Sequence, residues 1–198
     1  NMAQRRIRNI PMSSTQTHKR IQIWLGNSID NSRVKHDFYQ TPPSATKALL
    51  DKEDFDKTVW ECACGTGAIS KVLEEYHYQV ISEDLISRGY GHSGLDFLKT
   101  KQKKAESLIT NPPFKLSVAF WKKCIELDIR KYAFLLRLQW LEGQQRSKLF
   151  KEHPFKRLYV FSKRIELTKA GKNIGSPMLA FGWFVFEKGN KDCKVEWI

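Results

Sequence analysis

Asn111-Pro112-Pro113-Phe114 puts a carboxamide, a bare main-chain carbonyl and an aromatic ring on one stiff stretch of chain, directly after the apolar pair Leu108-Ile109. Each proline fixes φ near about −65° and biases the preceding residue toward an extended conformation. The Asn111 side-chain oxygen and the Pro112 carbonyl can then both accept hydrogen bonds from one NH₂ group. An aromatic amine such as adenine N6 is a poor nucleophile because its lone pair is delocalised into the ring. Two acceptors gripping its hydrogens favour the pyramidal amine that forms during attack, so the stabilisation is directed at the transition state. Phe114 supplies a flat face for the ring, with Pro113 beside it. The alternative reading is a proline-stiffened loop ahead of a helix.

Such a group needs a scaffold that brings an electrophile to it. Thr58 to Cys62 reads as a short buried strand, Ala63-Cys64-Gly65-Thr66-Gly67 follows as a tight turn, and Ala68 to Tyr76 has the composition of a helix. Strand, glycine-rich turn and helix together let a ligand approach main-chain N–H groups at a helix N-terminus. The third glycine of the dinucleotide fingerprint is missing, as is the Gly-Lys-Ser/Thr of a P-loop, so a pyrophosphate is not the favoured ligand and a nucleotide-dependent oxidoreductase is disfavoured. Glu61 closes the first strand, where a carboxylate can meet the cationic amino group of an amino-acid ligand. Glu83-Asp84 closes the next apolar run, and an acid at that place can hold a ribose diol.

With these motifs in order, the chain resembles the class I S-adenosylmethionine-dependent amino-methyltransferases, and is most similar to small phage-type DNA adenine-N6 methyltransferases. The resemblance runs from Asp37 to about Glu187. It begins with Asp37-Phe38-Tyr39-Gln40-Thr41-Pro42, which resembles the segment that family places over the methionine end of the cofactor; this implies cofactor contacts from Phe38, Tyr39 and Thr41. It continues through Glu61, Ala63, Gly65 and Gly67, then Asp84-Leu85 and Arg88-Gly89-Tyr90-Gly91, then Asp96-Phe97, then Asn111 to Phe114. The resemblance implies that Asp84 binds the ribose hydroxyls, Asp96 the adenine amino group of the cofactor, and that Phe97 packs on its ring. It also implies that Phe161 stacks on the target base opposite Phe114.

Composition agrees with a single enzyme domain acting on a polyanion. The chain has 198 residues, is 41% hydrophobic and carries 34 Lys+Arg against 21 Asp+Glu, a net charge of +13. Residues 1–36 hold seven basic side chains, Arg5, Arg6 and Arg8 among them, and one acid; this stretch is read as a basic, partly ordered arm. Arg164, Lys169 and Lys172 fall in a glycine-containing loop where a phosphate backbone can lie. Residues 37–198 form the catalytic domain, with no separate target-recognition domain expected after the last strand. Four scattered cysteines without Cys-x-x-Cys pairing give no metal site, and no apolar run is long enough to span a bilayer. The cytoplasm is the expected compartment.

Strands are expected near 58–62, 79–83, 107–110, 132–138, 158–162 and 179–187. Helices are expected from Thr41, as N-cap, to Leu50, and at 68–76, 115–129 and 143–151. Their alternation predicts an α/β fold with an open, mostly parallel sheet covered on both faces. The resemblance implies the Rossmann-like class I methyltransferase version: seven strands, the last antiparallel. The chemistry expected is methyl transfer from S-adenosylmethionine to an exocyclic amine of a nucleobase, adenine N6 in DNA first. Cytosine N4, adenine N6 in RNA and the amide of protein glutamine share the Asn-Pro-Pro-aromatic logic and stay open. So does an inactive nucleic-acid-binding subunit of the same fold.

Overall fold

A computed structural model describes residues 39–169, 172–173 and 179–198. The basic arm of residues 1–36 and Phe38 lie outside the described residues. The elements, in chain order, are α1 (Pro43–Leu50), β1 (Thr58–Glu61), α2 (Ala68–Glu75), β2 (Gln79–Asp84), β3 (His92–Ser93), β4 (Ser107–Thr110), α3 (Ser117–Glu126), β5 (Lys131–Arg137), α4 (Gln144–Glu152), β6 (Arg157–Val160), β7 (Thr168–Lys169), β8 (Lys172–Asn173), β9 (Phe181–Glu187) and β10 (Lys194–Trp197). Short 3₁₀ turns cover Phe97–Lys99, Phe114–Leu116 and Leu138–Leu141.

The main sheet runs β10-β6-β9-β5-β4-β1-β2-β3, and β7 pairs with β8 in a separate ribbon. Strands β3, β2, β1, β4 and β5 are mutually parallel, and β9 is antiparallel to both β5 and β6. The sheet therefore has the expected α/β architecture with an antiparallel strand near one edge. It has eight strands rather than seven, because β10 adds parallel to β6 beyond the expected terminal pair. Lys-Val-Glu-Trp gives little buried signal, since an edge strand keeps much of its surface in water, and Trp197 is 67% exposed. The Gly-rich connection at 87–94 contains the two-residue β3.

Period-two alternation explains why both faces are covered. Trp60, Leu108, Tyr132, Phe134, Leu136, Phe184 and Phe186 point to one side, where Phe120, Trp121 and Cys124 of α3 and Phe150 of α4 pack against them. Val59, Ile109, Ala133, Leu135, Trp183 and Val185 point to the other, against Leu49 of α1 and Ile69 and Leu73 of α2. Helix α1 starts one residue later than expected. Pro42 is its N-cap and Pro43, with no N–H to orphan, opens the first turn, which frees the Thr41 side chain for another contact.

Chain order reverses between β1 and β4: β2 and β3 lie on one side of β1, β4 and β5 on the other. Loops leaving the C-terminal ends of β1 and β4 must diverge there, and the crevice they leave is where open α/β sheets bind ligands.

Candidate active site

The turn after β1 is built around two left-handed glycines, Gly65 at φ 57° and Gly67 at φ 78°. Gly67 N–H donates to the Cys64 carbonyl at 2.8 Å and Cys64 N–H to the Glu83 carbonyl at 2.9 Å, which seats the turn on the end of β2. A Cβ on Gly67 would lie 2.5 Å from the Tyr90 ring, so this glycine is required by Tyr90 as well as by its φ. Ala63 beside the turn is partly buried, Cys62 is a buried thiol in the core, and the buried Cys64 Sγ points to the Tyr90 carbonyl at 3.7 Å.

Asp84, at the end of β2, is nearly buried and fixes the crevice from the other side. Its Oδ2 accepts from Gly65 N–H and its Oδ1 from Ile86 N–H, both at 2.8 Å. Each carboxylate oxygen has a second lone-pair direction, so the group is held rigid while still able to accept hydroxyl protons. Leu85 next to it is 54% exposed on the rim. Glu61 is buried at the end of β1, where Ser70 donates to its Oε2, and Ser70 in turn shares a 2.7 Å hydrogen bond with Ser82. Burial pushes the Glu61 carboxyl up to about 8, against the pull of Ser70, and the neighbouring Asp84 adds to the rise.

Asp96 caps the 3₁₀ turn that follows it, accepting from Leu98 N–H at 3.0 Å, and lies 3.7 Å from Lys99. Phe97 is 4% exposed, with its ring edge-on to Trp60 at 5.2 Å and tilted against Phe120 at 4.8 Å.

Asn111 follows β4 directly. Its Nδ2 donates to the Tyr39 carbonyl and to the Thr41 hydroxyl, both at 3.2 Å. A carbonyl can only accept, so the amide nitrogen must face residues 39–41 and the oxygen must face away. Among the described residues nothing donates to Asn111 Oδ1 or to the Pro112 carbonyl. Both peptide bonds to Pro112 and Pro113 are trans. Tyr39 and Thr41, which sequence places at the start of the fold, are thus joined to a motif seventy residues away.

Phe114 is stacked on Tyr39 with ring centres 5.6 Å apart and planes 22° apart, and it also meets Phe181 at 5.9 Å. The Arg137 guanidinium lies over its ring at 4.8 Å. Phe161 is partly buried against the same cluster, but the rings that meet Phe114 are Tyr39 and Phe181. Pro113 is partly buried at the start of the 3₁₀ turn. Arg164 is exposed in the loop before β7; Lys169 and Lys172 sit on the paired β7 and β8 backbones. The structure therefore gathers Tyr39, Thr41, Asn111, Pro112 and Phe114 in one place, and Gly65, Gly67 and Asp84 at the neighbouring strand ends. Two residues join these groups without a role assigned from sequence: Tyr90, quoted above only as part of Arg88-Gly89-Tyr90-Gly91, and Arg137. Arg137 had a signal, as the first charged residue after the apolar run Tyr132 to Leu136.

No protein-family model and no curated protein sequence matches this chain. Solved structures do resemble it. A "putative RNA methyltransferase" from Pyrococcus horikoshii has a TM-score of 0.60 at 16% identity, covering 87% of this chain and 98% of that one. The modification subunit of a "putative type I restriction enzyme" from Vibrio vulnificus has a TM-score of 0.56 at 12% identity, covering 96% of this chain and 53% of that one. A dimethyladenosine transferase from Plasmodium falciparum has a TM-score of 0.54 at 17% identity, covering 75% of this chain and 62% of that one. The chain thus spans little more than half of the second protein and under two thirds of the third. The fold is the Rossmann-like fold of the class I methyltransferases.

Proposed function

We propose that this protein transfers a methyl group from S-adenosylmethionine to an exocyclic amino group of a nucleobase, adenine N6 in DNA first. One observation carries the reading: Asn111 is tied by its nitrogen to Tyr39 and Thr41, which leaves its oxygen to accept from a ligand, and the carbonyl of the next residue, Pro112, takes no donor among the described residues. Two fixed acceptors at the mouth of the switch-point crevice suit a donor with two hydrogens on one nitrogen. As that nitrogen attacks and becomes tetrahedral, both acceptors keep their hydrogen bonds, and the resonance lost to the ring is offset. No strong base is needed before attack, because the nitrogen becomes acidic only once it is methylated.

The residues present fit the cofactor. Gly65 and Gly67 open the turn, Asp84 is a rigid acceptor suited to ribose hydroxyls, and Glu61 is a buried carboxyl suited to an ammonium. S-adenosylmethionine supplies a methyl group on a sulfonium, an activated donor that needs alignment more than activation. The protein's part is to hold the amine in line and to keep water out. The stacked Tyr39–Phe114 pair, with the Arg137 guanidinium over Phe114, puts aromatic and cationic surface next to Asn111, and contact with it offsets part of the cost of unstacking a base.

The net charge of +13 favours nucleic acid over a protein glutamine substrate. The three fold neighbours are named as an RNA methyltransferase, a modification subunit of a type I restriction enzyme and a dimethyladenosine transferase, names in keeping with a nucleic-acid substrate, and the test therefore includes both DNA and RNA. The test is a panel of DNA and RNA incubated with labelled S-adenosylmethionine, digested, and resolved into nucleosides. N6-methyladenosine or its deoxy form is expected. Label in protein glutamine alone, or in no nucleic acid at all, would overturn the reading.

A further inference from the structure

A cleft of about 270 Å³ opens on the Arg137 side of Phe114, lined by Phe114, Arg137, Gln139, Trp140, Glu142 and Arg146, with Ser117 in its floor. Its floor is fixed. Trp140 donates from Nε1 to Ser117 Oγ at 2.9 Å, Ser117 donates to the Phe114 carbonyl at 2.8 Å, and Trp121, Phe150 and Phe184 pack around Trp140. The two arginines are the unusual groups. The Nε atoms of Arg137 and Arg146 are both shut off from solvent without a hydrogen-bond partner, and among the described residues neither guanidinium has a carboxylate within 4.0 Å. Arg137 is held in place by the Phe114 ring beneath it.

With each Nε closed off, an incoming acceptor meets the terminal guanidinium nitrogens, which are not closed off and have no protein carboxylate in reach among the described residues; two such groups lining one cleft point to an anion that arrives with a ligand. Guanidinium forks match the oxygens of a phosphate. Glu142 on the same lining cancels one of the two positive charges, leaving +1. That balance suits the single charge of a phosphodiester better than a free phosphate dianion. The cleft shares Phe114 with the acceptor pair, and Arg137 ends β5 three residues after the Thr110–Phe134 register that sets β5 beside β4. We propose that this cleft is a phosphodiester subsite that clasps the nucleic-acid strand next to the target nucleotide. It rests on the nucleic-acid reading of the active site and deepens it: backbone held at Arg137 and Arg146, base delivered to Asn111.

The test uses oligonucleotides with one adenine in a run of thymines, bound in the presence of S-adenosylhomocysteine and followed by fluorescence anisotropy. Neutral methylphosphonate is placed at each linkage around the adenine in turn. With wild type, neutralising one or two flanking linkages should weaken binding on the order of tenfold, the loss expected for a charge-assisted contact. Arg137→Gln/Arg146→Gln should weaken the unmodified oligonucleotide comparably and become insensitive to those linkages. Arg137→Lys, which keeps the charge but not the fork, should fall between them. Inorganic phosphate should not compete. Equal methylphosphonate losses in wild type and the double variant would overturn the proposal. In a second set with guanine replacing a neighbouring thymine, a guanine effect that the double variant lacks, with phosphate sensitivity unchanged, would also overturn it, because the arginines would then read base edges. Binding of S-adenosylhomocysteine by calorimetry separates the levels. Variants that keep it are folded, and a wild type that binds it but no oligonucleotide overturns the subsite; a wild type that fails to bind it instead overturns the methyl-transfer reading.

Discussion

Where β4 and β5 begin, charged groups are closed into networks. Lys131 donates to Glu53 at 2.6 Å and to the Asp54 carbonyl at 2.6 Å, and Glu53 also takes the Tyr159 hydroxyl at 2.9 Å and lies 3.3 Å from Arg157. Beside it, Asp56 accepts from Ser107 at 2.6 Å and Arg130 at 2.7 Å, and Glu187 is paired with Lys156 and Arg130. Ser107 and Arg130 hold the Asp56 carboxyl below its usual range. Where the same strands end, the polar groups are left wanting. Asn111 Oδ1 and the Pro112 carbonyl have no donor among the described residues, the Nε atoms of Arg137 and of Arg146 on α4 have no acceptor there, and at the neighbouring end of β1 Glu61, though it accepts from Ser70, is buried with a raised pKa. The sheet is continuous between the two ends, so one core supports both. What differs is whether the chain satisfies its own groups, and the less satisfied end coincides with the switch point, where open α/β sheets bind ligands.

The largest effect should come from breaking the satisfied end. Lys131→Met leaves Glu53, 5% exposed in its side chain, with only Arg157 and Tyr159, and should destabilise the protein on the order of 3 kcal/mol in urea unfolding. Affinity of the folded molecules for S-adenosylhomocysteine should not change. If that affinity fell with stability, the two ends would be energetically linked and the contrast would fail.

The opposite signature is expected at the other end. Asn111→Ala should lower turnover on the order of a hundredfold or more, the scale of losing one preorganised polar contact. Stability should shift by no more than about 1 kcal/mol, since the lost bonds to Tyr39 and Thr41 are only partly buried. Steady-state kinetics and urea unfolding on one preparation check both halves. A variant that unfolds as readily as Lys131→Met would make Asn111 a structural residue.

Much of this was legible in sequence because it is local. The alternation of apolar residues in β1, β4, β5 and β9 dictates a sheet covered on both faces, and Gly65-Thr66-Gly67 dictates a tight turn after β1. Asn111-Pro112-Pro113-Phe114 stands out because its residues act as neighbours in the chain. The parts that were not legible depend on side chains brought together from afar: Tyr39 on Phe114, Arg137 over the same ring from β5, Tyr90 against Gly67, and Ser70 with Ser82 at Glu61. The helix start was misread for a related reason. Thr41 has the chemistry of an N-cap, but its hydroxyl is engaged by Asn111, a partner no local rule supplies. β10 was missed because an exposed edge strand lacks the burial that makes strands visible.

The smallest effect, and the one that most directly reads how the unsatisfied end is poised, concerns Glu61. Its carboxyl is raised from an ordinary 4.5 to about 8, chiefly by burial. Below the ordinary value both folded and unfolded chains carry the proton and nothing is lost. As pH rises from there toward about 8 the unfolded chain releases its proton while the folded chain keeps it, so this group makes stability fall with pH across that window and level off above it. Glu61→Gln stays neutral in both states and should flatten this part of the profile in pH-dependent thermal unfolding. An ammonium bound beside the carboxyl reverses the preference for the neutral form. Calorimetry of S-adenosylhomocysteine binding near neutral pH, in buffers of different ionisation enthalpy, should therefore show release of up to one proton by wild type that Glu61→Gln lacks. A sloping stability profile without that release would keep the burial argument and move the ammonium away from Glu61, whereas identical profiles for the two proteins would mean that burial does not hold a proton on Glu61.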